Sequence, residues 1–341
     1  MSEALSPKRR VLAALLGGKI DRIPGTSLAG CGGTFCADIQ KATKIYFPEA
    51  HKDAEKMAKL AINSSLLTGL ECVRVPFDFV EEPEALGCEI KWYNKPESLP
   101  AVIGHPYEKI EDLKRPNNFL NQARIPVVLQ AIRIIREEVG DFLPISSLAL
   151  GPLSMAVELT GIERFLKWII QKPNYVKEFI NFATDIAIEY AKAQYRAGSD
   201  IVQIADPMAS GDIISPDTFR EVVKPSLTKI AHNLGGIRVL HICGRTERIL
   251  QDMAKTGFNG LSIGNKVEVS RFKPVIGETK ILGNISSTTL TFGSPEEVEV
   301  EAKKAIKSGV DLLEPECGIP PIAPIDNIIA MVKVARNSKS M

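Results

Sequence analysis

Three side chains that bind soft metals stand at the ends of two predicted β-strands. His241 and Cys243 are two residues apart in the segment HICG, so the alternation of a strand directs both to one face. Cys317 follows a later strand in EPECGIPP. Two thiolates and one imidazole form a known catalytic zinc set with a fourth position left open, and sulfur favours zinc over magnesium. We therefore expect His241, Cys243 and Cys317 to bind zinc.

The charges of these ligands indicate which chemistry such a site supports. Zinc with two thiolates and a neutral imidazole is formally neutral, so a bound substrate thiolate keeps enough electron density to attack. Similar ligands serve alcohol dehydrogenation, but no G-x-G-x-x-G follows the first strand. A single buried cysteine is most often a packing residue. The metal is favoured here because both thiols end strands and precede glycines, Gly244 and Gly318.

The elements that would position these residues alternate along the chain as in a parallel α/β sheet. Eight β-rich runs are RIPGTSLAG from Arg22, ECVRVPFDFV from Glu71, PISSLALG from Pro144, DIVQIADP from Asp200, RVLHICG from Arg238, GLSIGN from Gly260, KILGNIS from Lys280 and VDLLEPECG from Val310. Helix-like stretches cover residues 48–68, 125–139, 161–197, 215–234, 246–255, 294–307 and 324–335. The pattern predicts an α/β (β/α)8 TIM barrel, whose working residues lie at the carboxyl ends of the strands.

The barrel is expected to be a single domain over residues 1–341 with two additions. Ser6, Pro7 and Gly17 have the residue types of a helix cap, first turn and stop, and predict an N-terminal helix. Residues 87–106 are expected to form an inserted hairpin and loop. The sixth unit, residues 267–277, contains Pro274 and is too short for a full helix, which leaves a doubly wound open sheet as the alternative.

Composition narrows the class of protein. The 341 residues carry 42 Lys and Arg against 41 Asp and Glu, a formal net charge of +1. This balance argues against nucleic acid as a partner, and no apolar run reaches the ~20 residues of a membrane span. The 6 cysteines lack the dense spacing of a secreted disulfide scaffold, so we expect free thiols in a reducing cytoplasm.

Other polar residues close predicted strands. Asp206 is a candidate catalytic residue that could orient a zinc ligand, although a turn before Pro207 explains it equally well. Asn284 and Ser286 are candidate substrate-binding residues, with backbone capping as the competing role. Asp78 carries the same ambiguity.

The remaining cysteines and histidines have simpler expected roles. Cys31 and Cys36 are expected to be free thiols in a glycine-rich loop, with the alternative that one approaches zinc as a resting fourth ligand or lines the substrate channel. Cys72 and Cys88 should belong to the core. The three other histidines are expected to be ordinary surface or capping residues, namely His51, His105 and His232.

Around the candidate zinc ligands and in several other segments, the chain resembles the uroporphyrinogen decarboxylase superfamily, specifically its methylcobamide:coenzyme M methyltransferase branch. SPKRRVLAALLGGKIDRIP looks like the superfamily's opening pattern, while PEAHKDAEKMAKLA, GHPY, IPVVLQAIRIIREEVG and IADPMAS look like the coenzyme M enzymes. LHICG and CGIPP match the positions of their zinc ligands. The resemblance assigns the metal site to His241, Cys243 and Cys317.

The resemblance implies a reaction. Zinc would hold the coenzyme M thiol as a thiolate, which attacks the methyl group of a methyl-Co(III) corrinoid to give methyl-coenzyme M and Co(I). A corrinoid protein, or free methylcobalamin in an assay, would be the donor. Two carboxylates near Cys317, Glu314 and Glu316, would repel an anionic sulfonate unless they point away.

Three alternatives follow from the same residues. A decarboxylase acting on a tetrapyrrole should present an N-terminal arginine cluster for the substrate carboxylates, and the segment after Ile23 offers none. A corrinoid methyltransferase with a different acceptor is the second. The third is a non-catalytic barrel that binds or delivers a corrinoid.

Overall fold

The computed structural model describes residues 5–338. Seven parallel strands form one sheet in the order β1-β4-β5-β6-β7-β8-β9, and β2 pairs with β3 as a separate antiparallel hairpin. The strands are β1 Val73–Val75, β2 Glu89–Lys91, β3 Ala101–Gly104, β4 Ile145–Leu150, β5 Ile201–Ala205, β6 Ile237–Ile242, β7 Gly260–Ile263, β8 Lys280–Ile285 and β9 Leu312–Pro315. The hairpin lies within the insertion expected over residues 87–106.

The eighth position of the barrel is filled by a segment too short to be a strand. Gly25 bridges Leu313 in β9, where the Thr26 N–H donates to the Leu313 carbonyl. On the other side, the Glu71 N–H donates to the Gly25 carbonyl just before β1. The predicted first strand from Arg22 to Gly30 is thus reduced to one bridge, because Pro24 has no N–H to donate and the chain beyond Thr26 leaves the sheet. These bonds close the predicted barrel.

Helices surround the sheet. They are α1 Pro7–Leu16, α2 Ala37–Thr43, α3 Glu49–Lys52, α4 Ala54–Thr68, α5 Glu81–Ala85, α6 Ile125–Val139, α7 Pro152–Thr160, α8 Ile162–Gln171, α9 Pro173–Ala197, α10 Pro216–Thr218, α11 Lys224–Asn233, α12 Leu250–Ala254, α13 Val269–Phe272, α14 Ser287–Phe292, α15 Pro295–Ser308 and α16 Ile325–Arg336. None of the helices in residues 5–338 combines the length and apolar composition of a membrane span.

Several predicted helices are confirmed, and others are divided. α1 begins with the Ser6 side chain accepting from the Arg9 N–H and ends at Gly17 in the left-handed conformation (φ 75°). The stretch 161–197 is divided before Pro173, and 215–234 contains a π-helical turn at Phe219–Val223 just before Pro225. Proline lacks the N–H that would continue the regular bonding pattern. α2, α5, α7 and α14 were not predicted.

The barrel opens at one end only. At its amino-terminal end, Val11, Ala14 and Leu15 of α1 pack with strand residues such as Ile201 and Val239, all buried. This apolar layer closes the bottom of the barrel. Functional groups on the strands are therefore accessible from the carboxyl-terminal mouth, as expected for this fold.

Candidate metal centre

Four side chains of types that can bind a metal meet at the mouth of the barrel. They are the predicted His241, Cys243 and Cys317, joined by Cys31, and their donor atoms all lie within 4.8 Å of one another. The imidazole of His241 is fully buried, whereas the three thiols are half-buried. The structure thus brings together three residues from distant strand ends and adds a fourth that sequence analysis had placed there only as an alternative.

Strand β6 and its neighbour orient the imidazole. His241 pairs in register with Ser262 of β7, and its Nδ1 lies 3.0 Å from the Ser262 Oγ. Its Nε2 is 3.6 Å from the Cys317 Sγ. A hydroxyl that is hydrogen-bonded to one ring nitrogen leaves the other nitrogen free for a metal. Metal-binding histidines are commonly held in this way. Ser262 was not predicted, because only the pairing of β6 with β7 places it beside His241.

Close contact between two backbone segments brings Cys31 to Cys317. A Cβ added to Gly30, whose φ is +128°, would lie 2.0 Å from the Gly318 nitrogen, and one added to Gly318 would lie 2.5 Å from Gly32. Only glycine permits this approach. The Cys31 N–H then donates to the Cys317 Sγ at 3.2 Å.

Gln203 of β5 holds the same loop from across the barrel. Its Oε1 accepts from the Gly30 N–H at 2.8 Å, and its Nε2 donates to the Gly30 carbonyl at 3.1 Å. Both backbone polar groups of one residue, Gly30, are thereby satisfied by one buried side chain. The loop that carries Cys31 is therefore anchored across the mouth of the barrel.

The cluster has strong internal electrostatics. Hydrogen bonds from the Cys243 and Cys31 thiols hold the pKa of Cys317 well below its ordinary value, with His241 adding to the effect. Burial lowers the pKa of His241, but the negative Cys317 outweighs it and raises that pKa to about 10. The protein alone thus favours a Cys317 thiolate beside a His241 imidazolium, and metal binding would replace the imidazolium proton.

The donor set fits zinc. Sulfur and imidazole donors converging on one point are those of tetrahedral zinc sites, and the set offers no hard oxygen donor of the kind that magnesium or calcium prefers. Binding would require deprotonated thiols and a neutral imidazole. The residues present are therefore compatible with the metal expected from sequence.

A family model described as Uroporphyrinogen decarboxylase (URO-D) matches residues 6–338. The chain belongs to the uroporphyrinogen decarboxylase family. The methylcobamide:CoM methyltransferase MtaA of Methanosarcina barkeri is 41% identical over 95% of this chain and 96% of its own. A solved structure of a methyltransferase from Methanosarcina mazei has a TM-score of 0.93 at 41% identity, covering 97% of this chain and 98% of that one. The uroporphyrinogen decarboxylase of Geotalea uraniireducens is 23% identical. The resemblance to the methyltransferase branch is confirmed.

The two carboxylates near Cys317 accept hydrogen bonds from other groups of the protein. Glu314 of β9 is fully buried, and its Oε1 accepts from the Thr26 hydroxyl at 2.7 Å and the Leu28 N–H at 2.6 Å. Burial raises the pKa of Glu314 to about 7. Glu316 accepts from the N–H groups of Asn265 and Ser287. Both therefore serve to hold loops at the mouth.

Arg74 of β1 is a charged residue that sequence analysis did not single out. It is fully buried, and its Nε and both terminal nitrogens have no hydrogen-bond partner within residues 5–338. Burial lowers the pKa of Arg74. The nearby acidic groups oppose this shift; they are Glu314, Cys72, Cys317 and Cys31. A guanidinium without partners is costly to bury. A single arginine within the otherwise apolar run CVRVPF is the sequence feature that could have identified it.

Asp206 has the contacts of a helix cap. Its carboxylate accepts from the N–H of Leu153 and from the N–H and hydroxyl of Ser154, in the first turn of α7. Burial raises its pKa to about 6 despite these donors. These contacts give the carboxylate a structural role at α7 that differs from the turn before Pro207, and its catalytic role stays a prediction.

The two candidate substrate-binding residues also make structural bonds. Asn284 donates from Nδ2 to the carbonyls of Gly264 and Val267, and it lines a cavity of about 920 Å³ beside α14 and α15. Ser286 caps α14 by accepting from the N–H groups of Thr288 and Thr289. Neither belongs to the four-donor cluster. Their roles toward substrate stay predictions.

One histidine prediction was wrong. His51 is fully buried rather than on the surface, with its Nδ1 2.7 Å from the Asp78 Oδ2. Asp78 also binds Arg124, which reaches Glu81 and Glu84. These opposite charges explain why polar residues tolerate burial here.

The predictions for the two other histidines and for two of the cysteines are confirmed. His105 and His232 are exposed, and Cys72 and Cys88 are buried, as predicted. Cys36 is buried outside the cluster.

Glu82 near this network should make stability depend on pH. It is fully buried, and burial raises its pKa from 4.5 to about 7, while one oxygen accepts from the Leu150 N–H. A raised native-state pKa gives stability that is present below the unfolded-state pKa and is lost as pH rises through the native value. Glu82→Gln should thus resemble wild type at pH ~4, below the unfolded-state pKa, and be more stable by up to ~3 kcal/mol at pH ~8.

Urea unfolding across this pH range would measure the difference. The exposed Glu163→Gln is the matched control and should show no such trend. A stability difference between wild type and Glu82→Gln that stays constant with pH would contradict the prediction.

Proposed function

We propose that this family member is a zinc-dependent methyltransferase that moves a methyl group from a methylated corrinoid to a thiol, with coenzyme M as the acceptor. The observation that carries the proposal is the cluster of thiols and imidazole at the barrel mouth. It occurs in a chain 41% identical, over nearly its full length, to a methylcobamide:CoM methyltransferase. A corrinoid protein that docks on the rim is the proposed donor and partner.

The chain's own residues would supply the ligands and their orientation. His241, Cys243 and Cys317 would hold zinc. When bound, zinc would keep the acceptor sulfur as a thiolate at neutral pH while leaving it nucleophilic. Ser262 would hold the imidazole in the tautomer that leaves Nε2 free. In the reaction, the thiolate sulfur bonds to the methyl carbon, and the cobalt–carbon bond breaks with its electron pair left on cobalt.

Arg74 supports an anionic acceptor. Coenzyme M carries a sulfonate, and a buried guanidinium that has no hydrogen-bond partner in the described part of the chain offers planar donors for such a group. The carboxylates that sequence analysis considered repulsive accept hydrogen bonds from the protein instead. We propose that Arg74 provides the charge that the acceptor's anionic end recognises.

Replacing Arg74 should change acceptor preference. We expect Arg74→Gln to raise KM for coenzyme M by ~10- to 100-fold, because a charge-assisted hydrogen bond contributes ~1.5–3 kcal/mol. The rate with the neutral thiol 2-mercaptoethanol should change little. Arg74→Lys, which keeps the charge, should be intermediate. An equal loss with both thiols would contradict this role.

The function is tested by metal analysis together with methylcobalamin demethylation. We expect one zinc ion per chain, and Co(I) that appears only when a thiol is present. Coenzyme M should be the best acceptor among several thiols. Zinc-free protein that still demethylates would overturn the proposal, as would thiol-independent demethylation.

The decarboxylase alternative has less support. Its named relative shares 23% identity, against 41% for the methyltransferase. The N-terminal loop at the mouth contributes Cys31 rather than arginines. Because free thiols are required, we place the proposed reaction in a reducing cytoplasm.

A further inference from the structure

The cluster contains one donor more than the proposed function needs. A catalytic zinc site keeps a position open for substrate, whereas four protein donors would close a tetrahedral site. Cys31 is the additional donor, and its sulfur lies within 4.8 Å of each of the other three donor atoms.

The local structure is built to bring Cys31 to this point. Gln203 holds both polar groups of Gly30, and the Cys31 N–H donates to the Cys317 Sγ. After Cys31, the Ile319 N–H donates to the Gly33 carbonyl at 3.2 Å. The loop is therefore tied to the segment that carries Cys317 before and after the thiol.

The four donors differ in how they are supported. His241 lies within β6, Cys243 directly follows that strand, and Cys317 closely follows β9. Cys31 instead lies in a loop that no strand leads into, because the segment before it makes only the isolated bridge at Gly25. The backbone of this loop is anchored, but rotation of the Cys31 side chain would remove its thiol from the cluster without moving a strand.

We propose that Cys31 is the fourth protein ligand of the resting metal centre, and that the acceptor thiol replaces it. This inference rests on the proposed function. In the exchange, the incoming sulfur takes the position of the Cys31 sulfur, and the proton of the incoming thiol passes to Cys31. The site holds three sulfurs and one nitrogen before and after, and no oxidant or reductant is needed. Cys31 thereby excludes water and small anions until an acceptor arrives.

X-ray absorption at the zinc edge of the purified holoprotein tests the proposal directly. Wild type should show three sulfurs and one nitrogen. Cys31→Ala should keep its zinc but show two sulfurs, one nitrogen and one oxygen. Cys36→Ala is the matched control, since Cys36 lies in the same loop outside the cluster, and it should match wild type.

A selenium analogue of the acceptor separates exchange from addition. With 2-selenoethanesulfonate, wild type should lose one sulfur and gain one selenium. Cys31→Ala should gain selenium while keeping two sulfurs, and should bind the acceptor ~10-fold more tightly because no protein ligand must leave. Selenium added without loss of sulfur in wild type would overturn the exchange.

The outcomes distinguish the two proposals. Two sulfurs in resting wild type, with thiol-dependent demethylation intact, would reject Cys31 as a ligand and leave the proposed function standing. Three sulfurs with no entry of selenium would indicate a closed structural site, which rejects the exchange. Protein that binds no zinc and shows no thiol-dependent demethylation would reject both.

Discussion

Cys317→Ser is expected to remove bound metal and methyl transfer together. Cys317 is the centre of the cluster, because its sulfur lies 3.6 Å from the His241 Nε2 and accepts from the Cys31 N–H. Its pKa is held low by the surrounding thiols and imidazole, so it is the donor best prepared as a thiolate. Serine has nearly the same shape, but its hydroxyl remains protonated and binds zinc weakly. We expect thiol-dependent demethylation to fall by at least ~10³-fold.

The measurement is zinc content after dialysis, together with the rate of Co(I) formation. Cys88→Ser is the control: this cysteine is buried away from the cluster, and its Sγ donates to the Glu158 carbonyl, a bond that a hydroxyl can replace. It should keep its zinc and its rate. Full zinc occupancy and normal turnover in Cys317→Ser would reject the site as proposed.

Gly30→Ala is expected to have the second large effect, through the backbone. The new Cβ would lie 2.0 Å from the Gly318 nitrogen and 2.4 Å from the Cys317 carbonyl carbon, at a φ of +128°. Neither segment can accept this without moving, so Cys31 and Cys317 should separate. We expect a loss of ~2–4 kcal/mol in the free energy of unfolding and a large loss of zinc affinity.

Gly32→Ala is the matched control two residues along. Its Cβ would meet its nearest atoms, the Ile319 oxygen and the Gly318 Cα, at 3.7 and 3.8 Å, which are ordinary contacts. Urea unfolding of chelator-treated protein measures the backbone effect, and competition with a zinc chelator measures the metal effect. If Gly30→Ala matched Gly32→Ala in both, the backbone contact would not control the site.

The general position of the site was predictable because it follows from periodic rules. Strand alternation places His241 and Cys243 on one face, and parallel strands end at the same rim, which brings Cys317 near them. That residues 1–341 form a single domain stays a prediction. The capping residue Ser6 marked the start of α1 correctly, since capping depends on local bonds.

The prediction failed or stayed open where distant residues decide the outcome. His51 looked like an ordinary helix residue, but Asp78 and Arg124 make its burial possible from other elements. Asp206 looked catalytic because it ends a strand, yet α7, which was not predicted, supplies its partners. Ending a strand is a local property, whereas the group that a side chain meets there is not.

The amino-acid sequence by itself determined the barrel, its open end and three of the four donors, because these depend on local periodicity and on how parallel strands end. Only the tertiary structure decided that Cys31 joins them and that Arg74 is buried without a hydrogen-bond partner among residues 5–338. The reason is that both depend on contacts between segments far apart in the chain. The fit of Gly30 against Gly318 and the bonds from Gln203 exist only once the barrel has closed.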